Sequence, residues 1–90
     1  MLTSPHGEQE DFTAAAEAAT GLSKKPSDAD LLVLYGLFKQ AKVGDCNTSK
    51  PGMLDLKGKA KWNAWNDLKG KAADEAKEEY IAKVEQLKEA

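Results

Sequence analysis

An all-α domain of four helices is what this sequence predicts, and three observations predict it. Apolar residues recur three and four apart in four separate stretches, the spacing that aligns one face of a helix. Between those stretches stand breakers: Gly21, then Lys24-Lys25-Pro26, then Gly44-Asp45 and Pro51-Gly52, then Gly70. No stretch alternates polar and apolar residues as a half-buried strand would, and no internal repeat is present.

Residues 1–10 are polar, contain Pro5 and Gly7 and show no period, so they read as a flexible N-terminal arm, with one domain over 11–90. The first helix is expected over 11–22, DFTAAAEAATGL, where Phe12, Ala15, Ala16 and Ala19 share a narrow face and Gly21 marks the stop. Small residues there let a neighbouring helix come close, with Phe12 as the bulky anchor. The second is expected over 28–43. Pro26 cannot continue a helix, Ser27 can cap the next one, and Asp28 and Asp30 sit where the helix dipole favours negative charge. Leu31, Leu34, Tyr35, Phe38 and Ala41 make its apolar stripe, with Lys39 one turn beyond Tyr35 on the same side. The long connection through Pro51-Gly52 is of the kind that crosses from one end of a bundle to the other, which permits its flanking helices to run parallel. A third helix over 59–70 carries Trp62, Trp65 and Leu68, the two indoles reading as packing material. The fourth, from 73 onward, places Ala76, Tyr80, Val84 and Leu87 on one stripe. Its cap position is Ala72, which forgoes about 0.5–2 kcal/mol of capping, partly offset by Asp74 and Glu75.

Ninety residues leave room for a single domain with little core to spare. Lys plus Arg number 13 against 15 Asp plus Glu, so the net charge of −2 gives no general attraction to nucleic acid or to an anionic membrane, and any anion site must be local. Cys46 is alone and has no intramolecular disulfide partner. The opening MLTSPHGEQED has neither the basic start nor the apolar core of a signal peptide, and no apolar run approaches the roughly 20 residues that span a bilayer. A soluble cytoplasmic protein without stable membrane insertion is the expectation.

Several motifs fail on inspection. Residues 52–59, GMLDLKGK, loosely resemble a phosphate-binding P-loop, but the glycine spacing is one residue too long, Ala60 stands where Ser or Thr would hold magnesium, and no strand precedes it. Asn47-Thr48-Ser49 fits the glycosylation pattern in a chain without a secretion signal. The single histidine, His6, lies in the arm, which leaves no general base for a Ser or Cys46 nucleophile and no metal-ligand spacing.

What remains is residues 35–70, YGLFKQAKVGDCNTSKPGMLDLKGKAKWNAWNDLKG, where lysines interleave with aromatics. Lysine answers phosphate while rings offer stacking area, so the mixture suits a ligand with phosphate at one end and a flat base or apolar chain at the other. Composition alone favours a plainer reading: Tyr35 and Tyr80 as core rings with their hydroxyls at the surface, and Lys57, Lys59 and Lys61 as the solvated face of the third helix.

That stretch, with Phe12 upstream and Tyr80 downstream, closely resembles the acyl-CoA-binding protein family (diazepam-binding inhibitor-like), from about Asp11 to the C-terminus. The resemblance implies a four-helix up-down-down-up bundle with an open groove for long-chain fatty acyl-CoA, no cofactor and no catalysis. It implies that Tyr35, Lys39, Lys61 and Tyr80 surround the phosphorylated ribose and adenine of the coenzyme. Phe38 stands where the family usually has a tyrosine beside the adenine; it keeps the stacking surface and loses a hydroxyl. Thr20 replaces a lysine often found near the headgroup, and Leu31 replaces a groove methionine of similar volume. The family's groove and the snorkelling habit of lysine put Phe12, Ala16, Leu31, Leu32, Leu34 and the stems of Lys57 and Lys61 around the acyl tail. Charge-assisted hydrogen bonds to phosphate, about 1.5–3 kcal/mol each, would fix the headgroup. Roughly fifteen methylenes at about 0.8 kcal/mol would add on the order of 12 kcal/mol before ordering costs, so affinity should rise with chain length.

The expected role is a monomeric carrier that shields the ester and passes it between acyl-CoA-using enzymes, without nucleic-acid partners. Two other classes are open to the sequence. Residues 40–57, QAKVGDCNTSKPGMLDLK, are similar to the neuropeptide region of animal members of the family, which makes a peptide precursor the alternative. A thioesterase acting on the same esters would need a nucleophile and base that the chain does not offer.

Overall fold

The computed structural model describes residues 5–89, with side chains from 11 onward. Four helices form and, among the described residues, no strand: α1 (Pro5–Thr20), α2 (Asp28–Lys42), α3 (Leu56–Asn66) and α4 (Ala73–Lys88). α1 begins at Pro5, six residues ahead of the expected start at Asp11, so the expected arm over 1–10 overlaps a helix from Pro5 on. Proline at the first helical position loses nothing, because its missing N–H would have had no intrahelical partner. Residues 1–4 and the side chain of His6 lie outside the described residues.

α2 starts as its sequence predicts, with the Ser27 hydroxyl accepting from the Asp30 amide at 3.1 Å. α3 is displaced from the expected 59–70. Asp55 caps it by accepting the Gly58 amide at 2.9 Å, and the helix gives way after Asn66 to turns that end at Gly70, whose φ is +92°. The tryptophan spacing located the middle of α3, whereas the aspartate cap sets its start. α4 has no side-chain cap at Ala72, as expected, with Asp74 and Glu75 in its first turn.

The helices lie side by side in the order α1, α4, α2, α3, each packed on the next. α2 and α3 run parallel, because Tyr35 faces Lys61, Gly36 faces Ala64 and Lys39 faces Trp65. α4 runs against α2: Asp30 pairs with Lys83 at 2.8 Å near one end, and Gln40 bonds the Lys71 carbonyl at 2.8 Å at the other. The arrangement is the up-down-down-up bundle. Phe12, Ala15, Leu34, Leu37, Ala41, Ala76, Tyr80 and Val84 form the core. The α2 stripe is rotated from expectation: Leu37 is buried, while Leu31 remains 38 % exposed and Tyr35 half-buried.

The long connection between α2 and α3 is tied down rather than loose. Gly44, at φ +97°, closes α2 through its amide to the Gln40 carbonyl. Trp65, buried, donates its indole N–H to the Gly44 carbonyl at 2.7 Å. Trp62, only half-buried and so not the core residue expected, donates to the Thr48 carbonyl at 2.8 Å. Asp45 Oδ1 accepts from Gln40 Nε2 at 2.9 Å and from the Gly70 amide at 2.8 Å. Gln40 is 1 % exposed, so its amide joins the end of α2 to the loop that leads into α4.

α2 and α3 come close at Gly36, where an added methyl would stand 2.5 Å from the Ala64 carbonyl oxygen on the neighbouring backbone. Gly36→Ala is therefore expected to destabilise the fold by about 1–3 kcal/mol in urea denaturation, despite alanine's better helix propensity; equal or greater stability would mean that α2 and α3 are not in this contact.

Stability should also depend on acid in a defined way. The Gly70 amide, and next the Gln40 side chain, hold the Asp45 carboxyl below its ordinary 3.8, and Lys83 does the same for Asp30. A depressed carboxyl contributes stability present above the unfolded value and lost as pH falls through the folded one. Stability should thus decline below about pH 4, and Asp45→Asn, which keeps an acceptor but no titration, should make that acid limb shallower. Lys71, raised above 10.5 chiefly by its hydrogen bond to Glu79, contributes below that value and loses it in stronger alkali.

Candidate functional site

Parallel pairing of α2 with α3 stacks two cation–ring contacts one helical turn apart. Lys61 Nζ lies 5.5 Å from the Tyr35 ring centroid and Lys39 Nζ lies 4.8 Å from that of Trp65. Neither ammonium has a carboxylate in ion-pair range among the described residues. Rings hold the lysines in place while their charge stays uncompensated, an arrangement ready for an anion. Tyr35, Lys39 and Lys61 line a hollow of about 210 Å³, whose far wall is the tied-down connection at Thr48, Ser49 and Pro51.

Tyr35 and Lys61 are shared with a second hollow, a trough of about 560 Å³ between α2 and α3. Leu31, Leu32, Leu56 and Ala60 give it apolar walls, and Lys25 and Lys57 stand at its edges. Leu31, Leu32 and Lys57 are therefore together as the sequence reading expected. Leu34 is not with them: it is buried in the core and lines neither this trough nor the other hollows of the site. At i+3 from Leu31 it turns into the core cluster that includes Tyr80 and Val84.

A third hollow of about 570 Å³ opens where α1, α2 and α4 meet, lined by Phe12, Ala16, Phe38 and Tyr80. Its floor is an aromatic triad. Phe12 stacks on Phe38 with centroids 5.7 Å apart and meets Tyr80 edge-on at 5.2 Å. Phe12 and Ala16, expected beside a tail with Leu31 and Leu32, instead flank the two aromatics assigned to a headgroup. The reason is the helix order: α1 packs on α4, and α2 separates it from the trough. Tyr35, Phe38, Lys39 and Lys42 occupy positions i, i+3, i+4 and i+7, so one face of α2 borders both the ring-floored hollow and the lysine-lined one.

Lys42, which sequence reasoning passed over, lines the triad hollow with Thr20, its Nζ 6.0 Å from the Phe38 centroid. Its place one turn beyond Phe38 was the available signal. Lys25 and Leu56 were missed for other reasons: the first lies in a linker without periodicity, and the second precedes the start assumed for α3.

Tyr80 is 5 % exposed, and burial pushes its phenol above the ordinary 10.0. In a spectrophotometric titration Tyr80→Phe is expected to remove a phenolate transition lying above that value; loss of a transition at or below it would mean the ring is not enclosed by α1 and α2.

Comparison with known proteins matches the sequence and the fold to a family. The family model described as "Acyl CoA binding protein" matches residues 9–84. The acyl-CoA-binding protein homolog of Drosophila melanogaster is 62 % identical over 78 residues, 87 % of this chain and 91 % of that protein. The acyl-CoA-binding protein of Brassica napus is 54 % identical over 84 residues, 93 % and 91 % of the two chains. The crystal structure of Oryza sativa acyl-CoA-binding protein 2 superposes with a TM-score of 0.90 at 48 % identity, covering 93 % of this chain and 91 % of that one. On its sequence and on its fold alike, the chain belongs to the acyl-CoA-binding protein family.

Proposed function

We propose that this protein carries long-chain fatty acyl-CoA esters without chemically changing them. The observation that carries the reading is the junction at Tyr35 and Lys61: two ring-supported, uncompensated ammonium groups border a hollow that is continuous in its lining with an apolar trough. A ligand polyanionic at one end and aliphatic at the other matches that junction, and relatives bearing the name acyl-CoA-binding protein support the assignment.

In this reading Lys39 and Lys61 take phosphate oxygens of the coenzyme, with the Tyr35 hydroxyl as a further donor. Phe38 and Tyr80, on the floor made with Phe12, receive the adenine, and Ala16 leaves room for it because its side chain is one methyl. Lys42 at the rim stands close to where Thr20 offers no charge. The tail lies along Leu31, Leu32 and the stem of Lys57, with Leu56 at the outer end. Binding would withdraw the tail from water while one side of the trough stays open for transfer. The carrier would work as a monomer in the cytoplasm, handing the ester between acyl-CoA-using enzymes. Residues 40–57 are anchored into the bundle at Gln40, Gly44 and Thr48, which favours a structural part in the site over release as a peptide.

Calorimetric titration with free CoA, a short-chain ester and a long-chain ester tests the reading. Affinity should climb along the series, because each buried methylene contributes about 0.8 kcal/mol; equal affinity for all three would refute it. Lys39→Ala is expected to weaken every CoA ligand about tenfold or more, through loss of a charge-assisted contact, and to leave the negligible binding of free fatty acid as it was. An unchanged isotherm would remove Lys39 from the site.

A further inference from the structure

Met53 and Leu54 are 84 % and 98 % exposed, and Leu56, the first residue of α3, is 73 % exposed. These large apolar side chains are not strays on a loose loop. They belong to a turn closed by the Asp55 amide on the Gly52 carbonyl at 3.1 Å, with Met53 and Leu54 at its two central positions. Asp55 is fixed in turn by its bond to the Gly58 amide, and the chain leading into the turn is held at Thr48 by Trp62. A braced turn thus presents two apolar side chains to solvent, and Leu56 continues that surface into the wall of the trough. Scattered exposed leucines need no explanation, but a contiguous apolar tip at the mouth of a lipid-sized hollow is the kind of patch that marks an interaction site.

Charge identifies what the tip fits. Residues 46–61 carry Lys50, Lys57, Lys59 and Lys61 against Asp55 alone, although the whole chain is net negative. None of the four lysines is ion-paired among the described residues, and the trough lining as a whole holds Lys25, Lys57 and Lys61 against Asp28 alone. The opposite bias lies on α4, with Asp74, Glu75, Glu78, Glu79 and Glu85 against Lys77, Lys83 and Lys88. The molecule is therefore polarised, with its positive pole around an apolar tip. Among the described residues no helix is long and apolar enough to cross a membrane, so the contact would be superficial and reversible.

We infer that the turn bearing Met53 and Leu54, with Leu56 behind it, docks on an anionic lipid surface, its apolar side chains entering the headgroup boundary while the surrounding lysines meet lipid phosphates and carboxylates. Docking in this orientation sets the mouth of the trough against the bilayer, and a fatty tail can pass between membrane and protein without crossing water. The inference rests on the carrier reading for its purpose, but the docking itself needs no ligand.

The test is sedimentation of the protein with vesicles of phosphatidylcholine containing about 30 % phosphatidylserine, without and with acyl-CoA. Wild type should sediment with these vesicles, less with pure phosphatidylcholine and less in high salt. The double variant Met53→Ser/Leu54→Ser, whose two positions line none of the hollows of the site, should lose about tenfold or more of that binding while keeping its circular dichroism and its vesicle-free affinity for long-chain acyl-CoA. Transfer of ester to acceptor vesicles should accelerate with vesicle concentration for wild type and become independent of it for the variant. Undiminished vesicle binding by the variant, or no binding by wild type, overturns the inference. So does a fall in vesicle-free affinity, which would make the tip part of the ligand site, or a concentration-dependent dimer that the variant abolishes, which would make it a contact between copies. If wild type bound vesicles but not acyl-CoA, the carrier reading would fail and the docking surface would stand.

Discussion

Parallel alignment of α2 and α3 is the constraint on which the rest of the structure depends. Two consecutive helices joined by a short turn would run antiparallel; here the chain returns along the bundle before α3 begins, and that return must be held in place. Gly36 lets the backbones come within reach at Ala64, and the indoles of Trp62 and Trp65 fasten the returning chain to α3 at Thr48 and Gly44. The bond from the buried Trp65 indole also satisfies a donor that would be costly to leave unpaired. With the helices parallel, side chains a turn apart on α2 meet side chains a turn apart on α3, and Lys39 and Lys61 come to border one hollow. An antiparallel α3 would have taken Trp65 away from Lys39.

The side-by-side order α1, α4, α2, α3 has a second consequence. A compact square bundle would close its interior, whereas this row leaves room at the seams. One seam is filled at its floor by the rings of Phe12, Phe38 and Tyr80, drawn from three helices. The other is left as a trough walled by Leu31 and Leu32, which are less buried than a helix interior would have them. A domain this small has little apolar area to spare, and keeping these residues and the Met53–Leu54 turn accessible leaves the core to a short set led by Leu34, Leu37, Tyr80 and Val84. The buried Gln40 amide, bonded to Asp45 and to the Lys71 carbonyl, fixes the far end of α2.

Helix count, the Ser27 cap and the missing cap at Ala72 were legible because they depend on local chemistry alone. So was the shared side of Tyr35 and Lys39, a matter of spacing. The bounds of α1 and α3 were less legible: a glycine and a proline near the N-terminus obscured a helix from Pro5, and tryptophan spacing drew attention away from the Asp55 cap. The division of the candidate residues into separate hollows was not legible at all. Phe12 with Tyr80, or Leu34 in the core and not in the trough, follows from which helices become neighbours in space, and no periodicity within one helix contains that information. The family resemblance named Lys61 and Tyr80 together, but the rings on which Lys39 and Lys61 rest became visible only with the packing.

The central claim is that one face of α2, shared with α3 on one side and with α1 and α4 on the other, receives both ends of a single ligand. Amide chemical-shift mapping during titration with a long-chain acyl-CoA tests it most directly. The account predicts shifts at Tyr35, Phe38, Lys39, Lys61 and Tyr80 together with Leu31, Leu32 and Lys57. Shifts confined to the opposite side of α2, where Val33 and Leu37 adjoin Ala64 and Leu68, would contradict it.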